Sequence, residues 1–543
     1  MGKFFKRSCA VLMCLILAAG LAAAPVNSGF FNVKDFGAVG DGQNIDSDAV
    51  NLAIETAAET GGGTVYFPVG VYSCYSIRLK SNITLYLDAG AVIQAAVATE
   101  AKGYDPAEEN PHNVYQDFGH SHWQNSLIWG VGLRNVAIIG QGMIDGTDAL
   151  SRGASRAGRI NAANKAIALK ECFNVILRDI SMLMCGHFAL LATGVDNMTI
   201  DNITVDTNRD AFDIDCCANV MISNCRVNTM NDDGIVLKSS YGLGYAKATE
   251  NVTITNCMVS GYVPGTLMDG TFVRNDDDRA PDRDGPTGRI KFGTESNGGF
   301  KNITISNCVF DRCRGLALET VDGGIIEDIV INNIAMRDIV NAPLYIRLGN
   351  RARGPKESTP VAKIRRITIS NLSVKNADSR YASLIVGLPE HLIEDVILSN
   401  INIEYRGGLS MTEAAEQPAE LINNFFTRRE PIGERDPFDV PEREKDYPEP
   451  STMGILPAYG FFIRHAKNLE MNNVKITFIE EDTRPAVTLI DVDGISFNNF
   501  KADRAPQAPM FVLRDVKGFS TDNMPSLKKD IRNLTVTKHT EIK

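Results

Sequence analysis

Three aspartates carry the spacing from which chemistry follows most directly. Asp210 lies in Asn208-Arg209-Asp210-Ala211-Phe212-Asp213, and Asp232 and Asp233 lie in Asn231-Asp232-Asp233-Gly234-Ile235-Val236-Leu237-Lys238. Asp210 and Asp232 are 22 residues apart, one period of an internal repeat. A chain that stacks its repeats therefore sets these carboxylates side by side. Crowded carboxylates do not all ionise: one keeps a proton to give to a leaving oxygen, while charged neighbours orient and deprotonate water. That is the equipment for acid–base cleavage of a glycosidic bond.

The repeat that must position them begins at Asn174, Asn197, Asn219, Asn251 and Asn302, the first three spaced by 23 and 22 residues. Weaker copies start at Asp328, Arg366, Asp395, Asn468 and Gly494, and earlier ones lie near Asn82 and Asn135. Each unit holds short alternating runs, such as Val220 and Ile222, then Ile235 and Leu237, which send one set of side chains inward and the other outward. A unit this short cannot bury its apolar face alone and must stack on its neighbours. No helical stretch and no leucine/asparagine frame recurs, so a parallel β-helix fits better than a leucine-rich repeat. Asn224, Asn256 and Asn307 predict an internal asparagine stack.

The 543 residues are 44% hydrophobic and 22% charged, with net charge −11. That is globular composition, and its acidic balance argues against nucleic acid as a partner. Residues 1–24 read as a secretory signal: Lys3, Lys6 and Arg7, an apolar run from Ala10 to Leu21, then Ala22-Ala23-Ala24. No other stretch is long and apolar enough to span a bilayer, so a secreted protein, periplasmic or extracellular, without a membrane anchor is expected. Removing Cys9 and Cys14 with the signal leaves 11 − 2 = 9 cysteines. Cys225, Cys257 and Cys308 recur at one repeat position and read as a buried thiol column rather than disulfides. No cysteine or histidine spacing suggests zinc, and no cofactor or metal is expected.

Residues 30–72 form an N-terminal cap with one helix near Ser47–Thr60, capped by Asp46 or Ser47 and striped by Ala49, Leu52, Ala53 and Ala57. The solenoid proper spans 73–535. Four segments interrupt it as rim loops: 100–125, 146–165, 261–288 and 407–459. The last is rich in Pro, Glu and Arg and stays ordered only if something holds it. Four long rim insertions around one groove favour a closed pocket, hence attack at a chain end.

At this point the motifs resemble a known family. Asn208-Arg209-Asp210-Ala211 is similar to the Asn-Thr-Asp-Gly motif of the polygalacturonase family of glycoside hydrolases (family twenty-eight). Asn231 through Ser239 resembles that family's Gly-Asp-Asp-x-Ile-x-Ile-Lys-Ser. Ser126–Gly130 and Gly140–Gly146 match its pattern too, and the opening Asp35–Gly42 and Gly61–Pro68 resemble the N-terminal cap shared by many pectin-directed β-helix enzymes. The resemblance implies an all-β, right-handed parallel β-helix (a pectin-lyase-like solenoid) and metal-free hydrolysis of galacturonide linkages with inversion. It makes Asp232 the general acid and Asp210 and Asp233 the water-activating pair. Two departures stand out. The family's Gly-His-Gly is absent from Thr287–Thr294, and its Arg-Ile-Lys clamp is replaced by Leu316-Ala317-Leu318-Glu319. An Arg-Ile-Lys occurs one coil early, at Arg289 to Lys291.

Arg289 and Lys291 are therefore read as a relocated clamp for a substrate carboxylate, with Lys238 and Arg347 on the same surface. The rival is a neutral sugar whose hydroxyls bond Glu319. Asn208 completes the motif on the substrate side. His120, His122 and Trp123, ending an aromatic-rich rim loop, read as a substrate wall, with loop packing the equal alternative. Asp213 and Asp215 read as supporting groups, and His187 as a packed histidine. The run Asp276-Asp277-Asp278 with Asp282 and Asp284 reads as a solvated loop rather than a calcium site. The expected activity is hydrolysis of pectic or related uronic-acid-containing oligo- or polysaccharides. A β-eliminating polysaccharide lyase and a non-catalytic carbohydrate-binding solenoid are the alternatives. Oligomeric state is not legible.

Overall fold

The computed structural model describes residues 29–543 apart from 117–118, 151–160, 277–278, 281–283, 525 and 528. The expected signal segment 1–24 lies outside the described residues, as does much of the rim loop 146–165.

The described chain is a right-handed parallel β-helix of 36 strands with two α-helices, Ser47–Glu59 and Met411–Glu416. Its unit is legible in the backbone. Asn82, Asn135, Asn174, Asn197, Asn219, Asn251, Asn302, Asp328, Arg366, Asp395 and Asn468 all adopt φ between 53° and 62°. Each repeat thus starts on a left-handed corner, the conformation that Asn tolerates best among residues bearing a Cβ. The corner amides stack coil to coil: Asn135 Nδ2 donates to Asn82 Oδ1 at 2.8 Å, and Asn302 Nδ2 to Asn251 Oδ1 at 2.8 Å. The second ladder, with Asn256 Nδ2 on Asn224 Oδ1 at 3.3 Å, is exposed rather than internal. A left-handed corner turns its side chain outward, which corrects the expected internal stack.

The core is a column of aligned apolar side chains inside the coils. Ile214, Leu237 and Phe292 sit in register, followed by Leu318, Ile346 and Ile385, all buried. Cys225, Cys257 and Cys308 join this core, and all nine described cysteines are buried thiols without disulfides.

Strand Phe30–Asn32 pairs with Gly63–Phe67, which pairs with Ile83–Leu87, so the N-terminal segment leads straight into the coils. Helix Ser47–Glu59 closes that end with Val50, Ala53, Ile54 and Ala57 buried, whereas Leu52 is exposed. Asp46 makes no cap bond to the helix; its carboxylate accepts from the Val39 and Gly40 amides instead. At the far end, Leu534–Val536 and Thr540–Ile542 pair antiparallel with Phe511–Asp522 and cover the last coil's edge. Among the described residues no helix is long and apolar enough to cross a membrane.

Candidate active site

The carboxylates sit on one wall of the solenoid, whose successive strands are Phe188–Thr193, Asp210–Asp215, Ile235–Ser239, Ile290–Ser296 and Leu316–Thr320. These strands are buried on both faces. The inner face meets the core, and the outer face lies under rim segments. The candidate site thus lies beneath the rim rather than on an open sheet.

Asp210 and Asp232 place carboxylate oxygens within 4.8 Å of each other and of a His187 ring nitrogen. The Asp233 amide donates to Asp210 Oδ1 at 3.2 Å. The expected side-by-side register is therefore present. Side-chain exposure is 6% for Asp210, 15% for Asp232 and 6% for Asp233, so Asp232 is the most open of the three.

Their surroundings differ in sign. Burial, then the Asp232 charge, hold the Asp210 carboxyl well above the usual carboxylate range. Burial also pushes Asp233 up, but Lys291 and Arg289 outweigh it and hold that carboxyl below its ordinary value. Arg289 Nε stands 2.8 Å from Asp233 Oδ1 and Lys291 Nζ 3.4 Å from Oδ2. Arg209 Nη1 lies 3.0 Å from Asp232 Oδ2 and 3.1 Å from the Asn231 carbonyl. His187 Nε2 is 3.9 Å from Asp210, and burial drives its ring well below the usual histidine range, so it is neutral. One carboxyl that keeps its proton beside one held as an anion is the pairing acid–base cleavage requires.

Several expected substrate contacts are corrected. Trp123 is 0% exposed; it packs on Ala168, Phe188 and Leu191, and its indole N–H donates to Thr193 Oγ1. A fully covered ring cannot stack on a sugar. His122 Nδ1 bonds the Glu108 carbonyl, which ties the loop to itself. His120 is buried against Lys238 and Asp213; burial and Lys238 oppose its protonation, yet Asp213 raises the ring to about 9. Lys238 Nζ sits 3.0 Å from Asp213 and 3.4 Å from Glu295 in a closed ion cluster, not on a substrate surface. Arg347 is buried and donates to the Gly387 and Glu442 carbonyls, away from the aspartates. Glu319 is buried between Arg289 and Lys291, so it meets no sugar hydroxyl. Arg289 and Lys291 do point outward as expected, with Ile290 and Phe292 in the core, but carboxylates of this chain already engage both. Asn208 Oδ1 accepts from Asn231 Nδ2 at 2.5 Å, joining the two motifs across the coils.

Among the described residues, two groupings have ligand atoms close enough for a cation: His187, Asp210 and Asp232, and His120, Asp210 and Asp213. In the second, the Lys238 ammonium beside Asp213 already supplies the positive charge. Of the acidic run, Asp284 bonds Arg380 and Tyr381, while Asp277, Asp278 and Asp282 lie outside the described residues.

Sequence reasoning missed Arg209, although it stands inside the motif that located Asp210. It also missed Glu449, Tyr447 and Arg314, whose only signal was membership of a rim insertion or an ordinary coil.

Comparison with known proteins fits this geometry. The family model described as "Rhamnogalacturonase A/epimerase, pectate lyase-like" matches residues 30–262. A probable polygalacturonase of Vitis vinifera is 23% identical over 397 residues, covering 68% of this chain and 74% of that protein. The exopolygalacturonase of Thermotoga maritima superposes with TM-score 0.53 at 22% identity, over 69% of this chain and 87% of that one. The family 28 exopolygalacturonase of Yersinia enterocolitica superposes with TM-score 0.59 at 16% identity, over 86% and 78%. The class is a pectate-lyase-like parallel β-helix. Within it, the chain is polygalacturonase-like.

Proposed function

We propose that this chain is an exported glycoside hydrolase that removes units from the ends of pectic or related uronic-acid-containing oligosaccharides, using Asp210, Asp232 and Asp233. The observation that carries the proposal is the opposed electrostatics of three carboxylates clustered under the rim. Burial and the Asp232 charge keep a proton on Asp210, while Arg289 and Lys291 keep Asp233 anionic.

Asp232 is the most open of the three, which suits the donor that meets the leaving oxygen. Arg209 contacts this carboxyl in the free protein, and the neighbouring Asp210 holds a proton. Passing that proton to Asp232 when sugar binds leaves Asp210 and Asp233 to orient water. Export rests on the leader-like residues 1–24, and end-attack on the burial of the wall beneath its rim segments.

Incubation with a panel of uronic and neutral oligosaccharides, with product lengths followed in time, tests this. Expected is release of single units from the first minute, with saturated ends. A ladder of intermediate lengths overturns end-attack. Products absorbing in the ultraviolet select the eliminating lyase, and no turnover on any substrate selects a binding solenoid.

A further inference from the structure

Beyond Asp233, on the side away from Asp232, the wall carries Arg289, Lys291 and Arg314. All three are buried. Around them stand three carboxylates: Asp233, Glu319 and Glu449. Glu449 belongs to the rim segment 407–459, 135 residues from Arg314 in sequence. It is 1% exposed, with Oε2 2.7 Å from Arg314 Nη1 and 3.6 Å from Arg289 Nη2. Its other oxygen accepts from Asn341 Nδ2 at 3.2 Å.

The rim segment is fixed there by a second contact. Tyr447 OH lies 3.2 Å from Lys291 Nζ, whose ammonium also stands 5.3 Å from the centre of the Tyr447 ring. Phe426 stacks on that ring at 4.5 Å with planes 10° apart. Charge explains the arrangement. Three buried cations need compensating anions, and among the described residues of the coils Asp233 and Glu319 stand beside them. Even with Glu449 in place, Arg314 Nε and Nη2 have no hydrogen-bond partner. Two guanidiniums and an ammonium converging one coil from the reacting carboxylates form a receptor for a sugar carboxylate. This chain fills that receptor itself.

We infer that Glu449 occupies the place of a uronate carboxylate, so that it plugs the pocket on the Asp233 side and confines the substrate to its terminal unit. Arg289 and Lys291 then hold the plug rather than the substrate. The inference rests on the hydrolase proposed above, but its chemistry is separable from turnover. Truncating the side chain to alanine leaves a hole that matches acetate in size and charge, lined by the same cations.

The full chain carrying Glu449→Ala is compared with wild type, each with acetate, or with acetamide as the uncharged control. Glu449→Ala is expected to melt several degrees below wild type. Acetate at millimolar concentration should restore most of that loss, acetamide should not, and wild type should respond to neither. On a uronic oligosaccharide, Glu449→Ala should release products of two or more units, and acetate should return it to single units. Glu449→Gln, which keeps the volume and loses the charge, should shift products the same way and covers the case in which the alanine variant does not fold. Absence of acetate rescue overturns the inference, as does an unchanged product pattern in a folded variant of an active enzyme. If wild type turns over nothing, the hydrolase proposal fails while the melting experiment still decides the receptor.

Discussion

Arg209 Nη1 stands 3.0 Å from Asp232 Oδ2, although Arg209 precedes Asp210 in the chain and reaches across to the next coil. The residue expected to donate a proton is thus held by a guanidinium from the preceding motif. Arg209→Met keeps the length and removes this contact, so the Asp232 carboxyl loses a group that fixes its position. On a uronic oligosaccharide, kcat/KM should then fall by about tenfold. Steady-state kinetics of both proteins on one substrate check this; an unchanged kcat/KM means that Arg209 does not position Asp232.

Removing any one carboxylate should cost more than its neighbours can make good. Asp210→Asn, Asp232→Asn and Asp233→Asn should each lower kcat by about 10²–10⁴-fold, because each removes the donor or an orienter of water. The double variant Asp210→Asn with Asp232→Asn should fall little further, since residues acting as one unit are not additive. Calorimetry with an intact oligosaccharide should show binding retained in Asp232→Asn. Full activity in any single variant would remove that residue from the mechanism.

What the sequence made legible and what it hid divide along a physical line. The coils were legible because alternation and the left-handed Asn corner are local: Asn174, Asn197 and Asn219 begin repeats at the residues whose φ turns positive. The register of Asp210 with Asp232 follows from the same local count. Burial of the outer face was not legible, because it depends on where long insertions land. Trp123 looked like a sugar platform and is instead a wedge under its own loop. Arg289 and Lys291 looked like a free clamp because nothing in their neighbourhood announces Glu449, more than 150 residues later. A solenoid's sequence specifies its wall. The lids are settled by contacts that no repeat encodes.

Glu319 supplies a stability test with a definite sign. Burial raises its carboxyl to about 7 despite Lys291 and Arg289. Its folded value therefore exceeds its unfolded value, and between roughly pH 4.5 and 7 the native state binds more protons. The contribution of Glu319 is fully present below pH 4.5 and is lost as pH rises through 7. Glu319→Gln stays neutral throughout, so the stability difference, variant minus wild type, should grow in favour of the variant across that window. Urea unfolding of both proteins from pH 4 to 8 measures it; a difference independent of pH would show that Glu319 does not titrate there.

The stereochemical outcome is the sharpest test of how the carboxylates divide their work. Carboxyls about 5 Å apart accompany retention, and separations of roughly 6.5–9.5 Å accompany inversion. The 4.8 Å limit between Asp210 and Asp232 oxygens points to the first class. Retention, however, needs a free carboxylate to attack the anomeric carbon. Asp210 carries the proton in the free site and becomes an anion only after giving it to Asp232, and each oxygen of Asp233 is already engaged by a cation, Arg289 or Lys291. Carboxylates so engaged attack carbon poorly but still accept a hydrogen bond from water, and that favours inversion. Proton NMR during the first turnovers should therefore show the anomer opposite to the substrate linkage appear first and equilibrate later. A retained anomer, or a sugar adduct on Asp210 or Asp233 in the intact mass spectrum, would make one of these aspartates the nucleophile.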